Sequence, residues 1–300
     1  MLLLLPVSLA GGVSQSWREA SNIAMIIIGG FLLFLFAVWE YWFAQVPYLE
    51  WKYVKNVTVM TGALAYGVMF LSTEAWNGYF SSFMQAVPRF SYKSSNYILN
   101  AYSAASYFFG PFVGFLIQYT CRYKWITILI AMPFEIVGTA LLVKFRTRDA
   151  KPGLLAMTQV FVGIGGAIIP NTAQIALMAS VTHNEVASVL AIFQTVYSVL
   201  SSIGEAICGA IWNNVIPRRL DQTLPPDMKN LTMTLVDDFT ISLKYPRDSP
   251  IPLAIDSAYG EAIRIQAIVG ACVLPLLLAS VIFWKDLDLK KLQQTEGQVI

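Results

Sequence analysis

The chain has 300 residues, of which 56% are apolar and 13% are charged, whereas ordinary soluble domains carry roughly 25% charged residues. This composition predicts an integral membrane protein, and the net charge of +2, with its basic residues dispersed between apolar runs, excludes a nucleic-acid-binding surface. Three scattered cysteines and one histidine indicate neither a disulfide framework nor a metal site, no cofactor is expected, and the lack of a nucleophile–base pair argues against an enzyme.

Seven apolar runs are long enough to cross a bilayer as helices, which takes about 20 residues. In chain order they are 23–39, 58–83, 98–119, 125–143, 154–179, 186–212 and 262–284. We therefore predict an all-α polytopic membrane protein. Residues 1–10 (MLLLLPVSLA) are too short to span, and we interpret them as the end of a helix that begins before Met1, with a signal peptide as the alternative.

The orientation in the membrane does not follow from the basic residues, because seven lie on one side of the predicted spans and six on the other. A better indicator is Asn230-Leu231-Thr232, a glycosylation acceptor pattern within the polar stretch 213–260. If Asn230 is glycosylated, this stretch faces outward and residues 285–300 form a cytoplasmic tail. A second acceptor pattern at Asn56 lies too close to a span to be used.

Residues 114–125 (GFLIQYTCRYKW) place Gly114 ahead of a tight turn that contains Arg122 and Lys124. This pattern resembles the loop motif of the major facilitator superfamily. The glycine would let two helices approach closely, and the basic pair would anchor at headgroups or pair with an acid. Basic tight turns are also common at membrane surfaces, so the motif alone is not specific.

A more specific resemblance runs along the chain, to the fungal siderophore-iron transporters, a fourteen-span branch of that superfamily. It is carried by WEYWFAQVPY at 39–48, STEAWNGYFSSFMQ at 72–85, THNEVASVLAIFQTVYSVLSSIGEAICGAIWNNVIPRRL at 182–220, and 245–261 with its Asp256-Ser257-Ala258-Tyr259. It covers nearly all 300 residues and omits the six spans that members of the family carry first.

The resemblance implies a domain organisation and a function. Residues 1–56 would be linker helices, 57–284 a C-terminal six-helix half with a long outward loop at 213–260, and 285–300 a tail. The implied function is proton-coupled uptake of ferric siderophores by alternating access in a plasma or endosomal membrane. The partners would be the ferric-siderophore substrate, protons, the lipid bilayer and a missing N-terminal half. A drug/proton antiporter and a truncated, non-transporting polypeptide are the alternatives.

Acidic residues inside spans are costly and are therefore candidates for proton coupling. Glu74 shares a helix face with Asn77. Because family members often carry aspartate at the position of Asn77, the protonatable group of this chain would be Glu74 or would be absent. The alternative is that Glu74 only lies near the outer interface of the membrane. Glu135 follows Pro133, which is expected to disturb the helix, and could instead make an interhelical hydrogen bond. Glu205 lies among small residues that also suit close helix packing.

Other polar and aromatic residues complete the predicted sites. Candidate substrate-cavity residues are Trp76, Asn77, Tyr79, Asn171, Gln174, Gln194 and Tyr197, with hydrogen bonding between helices as the alternative for the last four. In the long loop, Phe239, Tyr245 and Tyr259 could stack on a siderophore ligand, and an ordinary solvated lid is the alternative. Thr182 and Glu185 have the spacing of a capping box, which places His183 in a turn rather than on a proton path.

Overall fold

The structure is a computed structural model that describes residues 20–44 and 50–291, so the predicted helix remnant at 1–10 and most of the tail lie outside the described residues. The described part is helical and contains no β-strand, which confirms the all-α prediction. Its helices are α1 (Ala20–Trp42), α2 (Trp51–Lys55), α3 (Val57–Asn77), α4 (Phe80–Ala86), α5 (Tyr92–Thr120), α6 (Tyr123–Phe145), α7 (Pro152–Ala179), α8 (Val186–Thr223), α9 (Thr232–Asp237) and α10 (Pro250–Ile282).

Six stretches of the described chain are long and apolar enough to cross a bilayer: α1, α3 with α4, α6, α7, α8 with its first turn, and α10. The seventh predicted span, 98–119, lies in α5, which has 29 residues and so is long enough. Because α5 carries many serine, tyrosine and asparagine side chains, its hydropathy is lower. It packs along α7, which places it in the same bundle.

Helix α3 is the centre of the bundle and packs against α7, α8 and α10. These contacts are close because glycines lie at the crossings. A Cβ atom at Gly204 of α8 would lie 2.7 Å from the Leu71 carbonyl oxygen, and one at Gly270 of α10 would lie 2.7 Å from that of Ser72. The Ser72 hydroxyl also donates a 2.8 Å hydrogen bond to the Gly270 carbonyl. Close packing through the small residues of α8 was the interpretation favoured by the sequence.

Helix α6 is irregular where the sequence predicts a disturbance. A π-helical turn, Thr127–Ala131, directly precedes Met132 and Pro133. Proline has no N–H to donate and its ring crowds the carbonyl four residues earlier, so the extra residue of a π turn relieves the conflict. This π turn shortly precedes Glu135 in the sequence.

The stretch 213–260, predicted to be a loop, is helical at both ends. Helix α8 continues to Thr223 and α10 begins at Pro250, so the connection between them is 224–249. The two extensions stay helical because each buries apolar side chains at helical spacing in one shared cluster, Ile216 and Leu220 on α8 and Ile251 and Ile255 on α10. We call this side of the bundle the loop end, and the opposite side, at Trp284–Lys291, the tail end.

Candidate transport site

The bundle has an apolar face and a polar face. On α6 and α10 the exposed residues are mainly apolar and include Leu129, Ile136, Ile268, Leu276 and Ile282. Exposed polar residues inside the spans lie instead on α5, α7 and α8: Asn100, Asn171, Gln174, Gln194, Ser198 and Glu205. Polar side chains in a span face protein or water rather than acyl chains, so the part of α5, α7 and α8 that carries them is not lipid-facing, although α5 also exposes Phe108, Phe112 and Phe115 elsewhere on its surface.

A cavity of about 280 Å³ lies between α3, α5 and α7 near the loop end. It is lined by Phe70, Thr73, Glu74, Asn77, Gly78, Ser81, Leu99, Asn100, Tyr102, Ser103 and Gln159. As predicted, Glu74 and Asn77 share one face, and both line this cavity. Gln159 is 1% exposed and its side-chain nitrogen has no hydrogen-bond partner in the described chain. The cavity wall therefore presents one acid, several amide and hydroxyl groups, and no basic side chain.

Four of the cavity residues were not predicted from the sequence: Asn100, Tyr102, Ser103 and Gln159. Three of them are on α5, whose weak hydropathy was a usable signal: Asn100 and Ser103 are three residues apart and so lie on one face. Gln159 precedes the glycine-rich segment of α7 by one helical turn. Nothing in the sequence indicates that α7 would bring Gln159 to the same cavity as α5.

Glu135 is the most deeply buried acid of the described chain. Its side chain is 0% exposed, and neither carboxyl oxygen has a hydrogen-bond partner among the described residues. It fits because Gly165 of α7 faces it, and a Cβ atom there would collide with the carboxyl group. A buried ionised carboxylate without a partner is very costly, so this site accommodates the neutral acid better than the carboxylate.

Tyr102 lines the cavity and packs on α7 next to the residue that faces Glu135. It packs against Gly166, the residue next to Gly165, where a Cβ atom would lie 2.5 Å from the tyrosine hydroxyl. It is within electrostatic range of both Glu74 and Glu135. Glu205 is exposed on the polar face and within electrostatic range of Glu74, and a Cβ atom at the neighbouring Gly204 would lie 3.1 Å from the Glu74 Cβ atom. Glu74 and Glu205 therefore lie near each other at the contact between α3 and α8, and Tyr102 is near both Glu74 and Glu135.

Several predicted cavity residues lie elsewhere. Trp76 is 1% exposed and packs edge-on against Phe80, so the prediction that it lines the cavity was wrong. Tyr197 stacks on Tyr66 at 4.7 Å between ring centroids. The Asn171 amide donates a 2.7 Å hydrogen bond to the Ala167 carbonyl of its own helix. Gln174 and Gln194 are exposed on the polar face outside the cavity.

The aromatic residues near the loop end form a packed column rather than an open platform. Tyr79 stacks on Trp212 at 4.4 Å, Trp212 meets Tyr259 at 4.8 Å, and Phe239 meets Tyr259 at 6.1 Å. Tyr259 lies on α10 and is 2% exposed, so its prediction as an accessible loop residue was wrong. Tyr245 is 38% exposed, and Asn230 is exposed in a 3₁₀ turn, Pro226–Leu231.

At the tail end, the basic turn contacts the end of α10. The Lys124 ammonium donates to the carbonyls of Ile282 (2.7 Å) and Trp284 (2.8 Å), which the helix itself leaves unpaired. Arg122 forms a 3.4 Å ion pair with Asp286, one of the two roles predicted for the basic pair. A Cβ atom at Gly114 would have no described atom within 4 Å, so the predicted close approach of helices does not occur within this bundle.

The capping box at Thr182 is confirmed. The Glu185 carboxylate accepts a 3.0 Å hydrogen bond from the Thr182 backbone N–H, and His183 lies exposed in the short 3₁₀ turn that begins α8. Its position agrees with the turn predicted from the sequence.

At the loop end, Arg148 holds the α6–α7 connection to the start of α10. Its guanidinium lies 2.9 Å from the Asp248 carboxylate and 3.2 Å from that of Asp256, and it donates a 2.6 Å hydrogen bond to the Arg247 carbonyl. Only 12% of the Asp256 side chain is exposed. An arginine that joins two connections in this way restricts how far 224–249 can move.

Replacing Arg148 with glutamine should therefore loosen the loop end more than it unfolds the bundle. We expect limited proteolysis in the 224–249 connection to become at least severalfold faster, because Asp248 and Asp256 lose the guanidinium that contacts both of them while helix packing is unchanged. Lys229→Gln is the matched control, because Lys229 pairs only with an exposed carboxylate, that of Asp221, at 3.5 Å. Equal cleavage rates in the two variants would contradict the role of Arg148 in restricting the 224–249 connection.

The chain is similar in sequence to several fungal transporters. No family model matches the sequence. A protein named MFS siderochrome iron transporter 1 from Ajellomyces capsulatus is 34% identical over 299 residues, which is 100% of this chain and 51% of that protein. Siderochrome iron transporter 2 of Aspergillus fumigatus is 32% identical over 301 residues, and the match covers 49% of that protein. Siderophore iron transporter 1 of Schizosaccharomyces pombe is 34% identical over 280 residues, 92% of this chain and 46% of that protein.

A solved structure has the same fold. It is a bacterial homologue of the human lysosomal transporter Spinster in an inward-facing conformation, with a TM-score of 0.54 at 14% identity, and it covers 88% of this chain and 57% of the other. The chain spans about half the length of the curated relatives it matches. Along its whole length the chain is 32–34% identical to these proteins named siderochrome iron transporters, and the six long apolar helices of its described part make it a multi-pass membrane protein.

Proposed function

We propose that this chain acts as the C-terminal half of a carrier that takes up ferric siderophores together with protons. The observation that carries the proposal is the polar α5–α7–α8 face, which includes Gln174, Gln194 and Glu205 at membrane depth. Such a face needs a protein partner or water next to it, and a second six-helix half would provide both. The substrate would then lie between two halves that rock against each other.

The cavity beside this face has suitable chemistry for a chelated metal. Its amide and hydroxyl groups, among them Asn77, Asn100 and Gln159, can hydrogen-bond to the oxygen-rich surface of a ferric siderophore. Glu74 gives the wall a negative charge when ionised, which would favour neutral or cationic complexes over anionic ones. The exposed Tyr245 remains a candidate for first contact with substrate, with the 224–249 connection facing outward.

The proton would be carried by Glu135, with Glu74 and Glu205 as the acids open to the cavity and the polar face. Glu135 can hold a proton in a site where its carboxyl group has no hydrogen-bond partner among the described residues, and Tyr102, which lines the cavity, packs on the neighbouring residue of α7, Gly166. Loss of the proton would leave an unpaired buried charge, which favours a rearrangement of α6 against α7. Alternating access coupled to a proton needs an effect of this kind.

The function can be tested by joining this chain to the half of the Schizosaccharomyces pombe relative that lies outside the matched region. In cells without siderophore uptake, we expect the joined protein to accumulate labelled ferric siderophore, faster at lower external pH, and the chain alone to accumulate none. A joined protein that reaches the membrane and accumulates nothing would contradict the proposal. Resistance to a toxic compound without any iron uptake would favour a drug/proton antiporter instead.

A further inference from the structure

Three arginines converge near one carboxylate at the loop end of the bundle. Arg219 of α8 lies 3.7 Å from one oxygen of Glu261, and Arg264 of α10 lies 3.6 Å from the other. Arg146, which follows α6, donates a 3.1 Å hydrogen bond to the carbonyl of Gly260 beside them. We call Arg146, Arg219 and Arg264 the arginine cluster. With Glu261 it carries a net charge of +2.

The cluster lies on the lipid-facing side of the bundle. Arg264, Ile268, Cys272 and Leu276 follow one another at intervals of four residues on α10, and all four are exposed. They therefore form one stripe along the helix, apolar except for Arg264. Helices α6 and α10 form the apolar face described above, so this stripe runs along acyl chains. Arg264 is not part of the polar face at which a second half would bind.

The depth of Arg264 corresponds to the headgroup layer. It lies 19 residues before Phe283, whose exposed ring marks the tail end of the stripe, and a helix of that length rises about 29 Å. The hydrocarbon core of a bilayer is about 30 Å thick. If Phe283 lies at one boundary of the core, Arg264 therefore lies at the other, and its half-exposed side chain can reach the phosphate level.

The charges of the cluster are not balanced by the protein. Glu261 contacts both Arg219 and Arg264, while Arg146 contacts a neutral carbonyl and its Nε atom is buried with no hydrogen-bond partner in the described chain. Burial and the charge of Arg264 lower the pKa of Arg146, which reflects repulsion between the two guanidinium groups. An added anion would relieve this repulsion.

We propose that the arginine cluster binds the phosphate of an anionic phospholipid in the leaflet at the loop end, with the acyl chains lying along Ile268 and Leu276. Guanidinium groups suit this ligand, because their paired N–H groups match two phosphate oxygens. A lipid is a better occupant than a soluble anion, because Arg264 projects from the lipid-facing stripe. The site joins the ends of α6, α8 and α10, and it does not depend on the proposed transport function.

The experiment measures lipid retained by the purified chain. The chain is equilibrated in detergent micelles containing either phosphatidylinositol or phosphatidylcholine, and bound lipid is counted by native mass spectrometry. We expect one phosphatidylinositol to be retained preferentially, and Arg264→Gln to weaken that retention about tenfold or more through loss of a charge-assisted contact. Arg264→Lys, which keeps the charge, should retain most of the binding.

The controls separate this site from general attraction to basic residues. Lys93→Gln removes one charge at the same end of the bundle, at the start of α5, and should change retention by less than twofold. Inorganic phosphate in a parallel series should not displace the lipid; displacement at equal concentration would assign the site to a soluble phosphate instead. Equal retention of the two lipids, or unchanged retention in a folded Arg264→Gln variant, would overturn the proposal.

Discussion

Replacing Glu135 with leucine is expected to make the bundle more stable and to remove the pH dependence of uptake. The carboxyl group is fully buried and makes no hydrogen bond in the described chain, so its desolvation is not offset. Removing an unsatisfied buried polar group of this kind should raise the free energy of unfolding by about 1–3 kcal/mol. A residue that destabilises the fold is retained for another reason, and proton coupling would be such a reason.

The thermal unfolding midpoint in detergent gives the first readout, and uptake by the joined protein at several pH values gives the second. Thr139→Val is the matched control, because Thr139 lies one turn away on α6 and its hydroxyl is also buried without a partner. That variant should gain stability slightly while uptake keeps its pH dependence. A large drop in the midpoint of Glu135→Leu would show that the carboxyl is structural, and retained pH dependence would remove it as the proton site.

Replacing Gly204 with valine should disrupt the contact between α3 and α8. A Cβ atom there would lie 2.7 Å from the Leu71 carbonyl oxygen and 3.1 Å from the Glu74 Cβ atom. Backbone oxygens cannot move aside as a flexible side chain can, so the helices must separate, at a cost of about 1–3 kcal/mol. The same separation would shift Glu74 relative to Glu205. We expect a lower unfolding midpoint together with reduced uptake.

Gly114→Ala is the comparison variant, because Gly114 is not at a close helix contact as Gly204 is. No described atom lies within 4 Å of a Cβ atom at Gly114, so this substitution meets open space inside a helix. Alanine is a better helix former than glycine by about 1 kcal/mol, so the midpoint should stay or rise slightly. If Gly114→Ala instead lowers the midpoint as much as Gly204→Val, the helix contacts of this bundle are wrongly assigned.

The sequence by itself determined the features that depend on local composition. Apolar runs predicted most of the spans, because the thickness of the bilayer fixes the length of a helix that crosses it. The pair Thr182 and Glu185 predicted the start of α8, since a capping box is a contact between residues three apart. Pro133 predicted an irregular helix for the same local reason. The polar stretch 213–260 was misjudged at its ends, where apolar residues at helical spacing are interleaved with polar ones.

Only the tertiary structure decided what each side chain faces, because the rotation of a helix about its axis is set by its partners. Trp76 and Asn77 are neighbours in sequence, yet Trp76 is buried and Asn77 lines the cavity. Glu135 became a buried acid because Gly165 of α7 leaves room for it. Arg146 directly follows α6, while Arg219 lies on α8 and Arg264 on α10, so the three meet only when these helices pack, and hydropathy along the chain does not predict that contact.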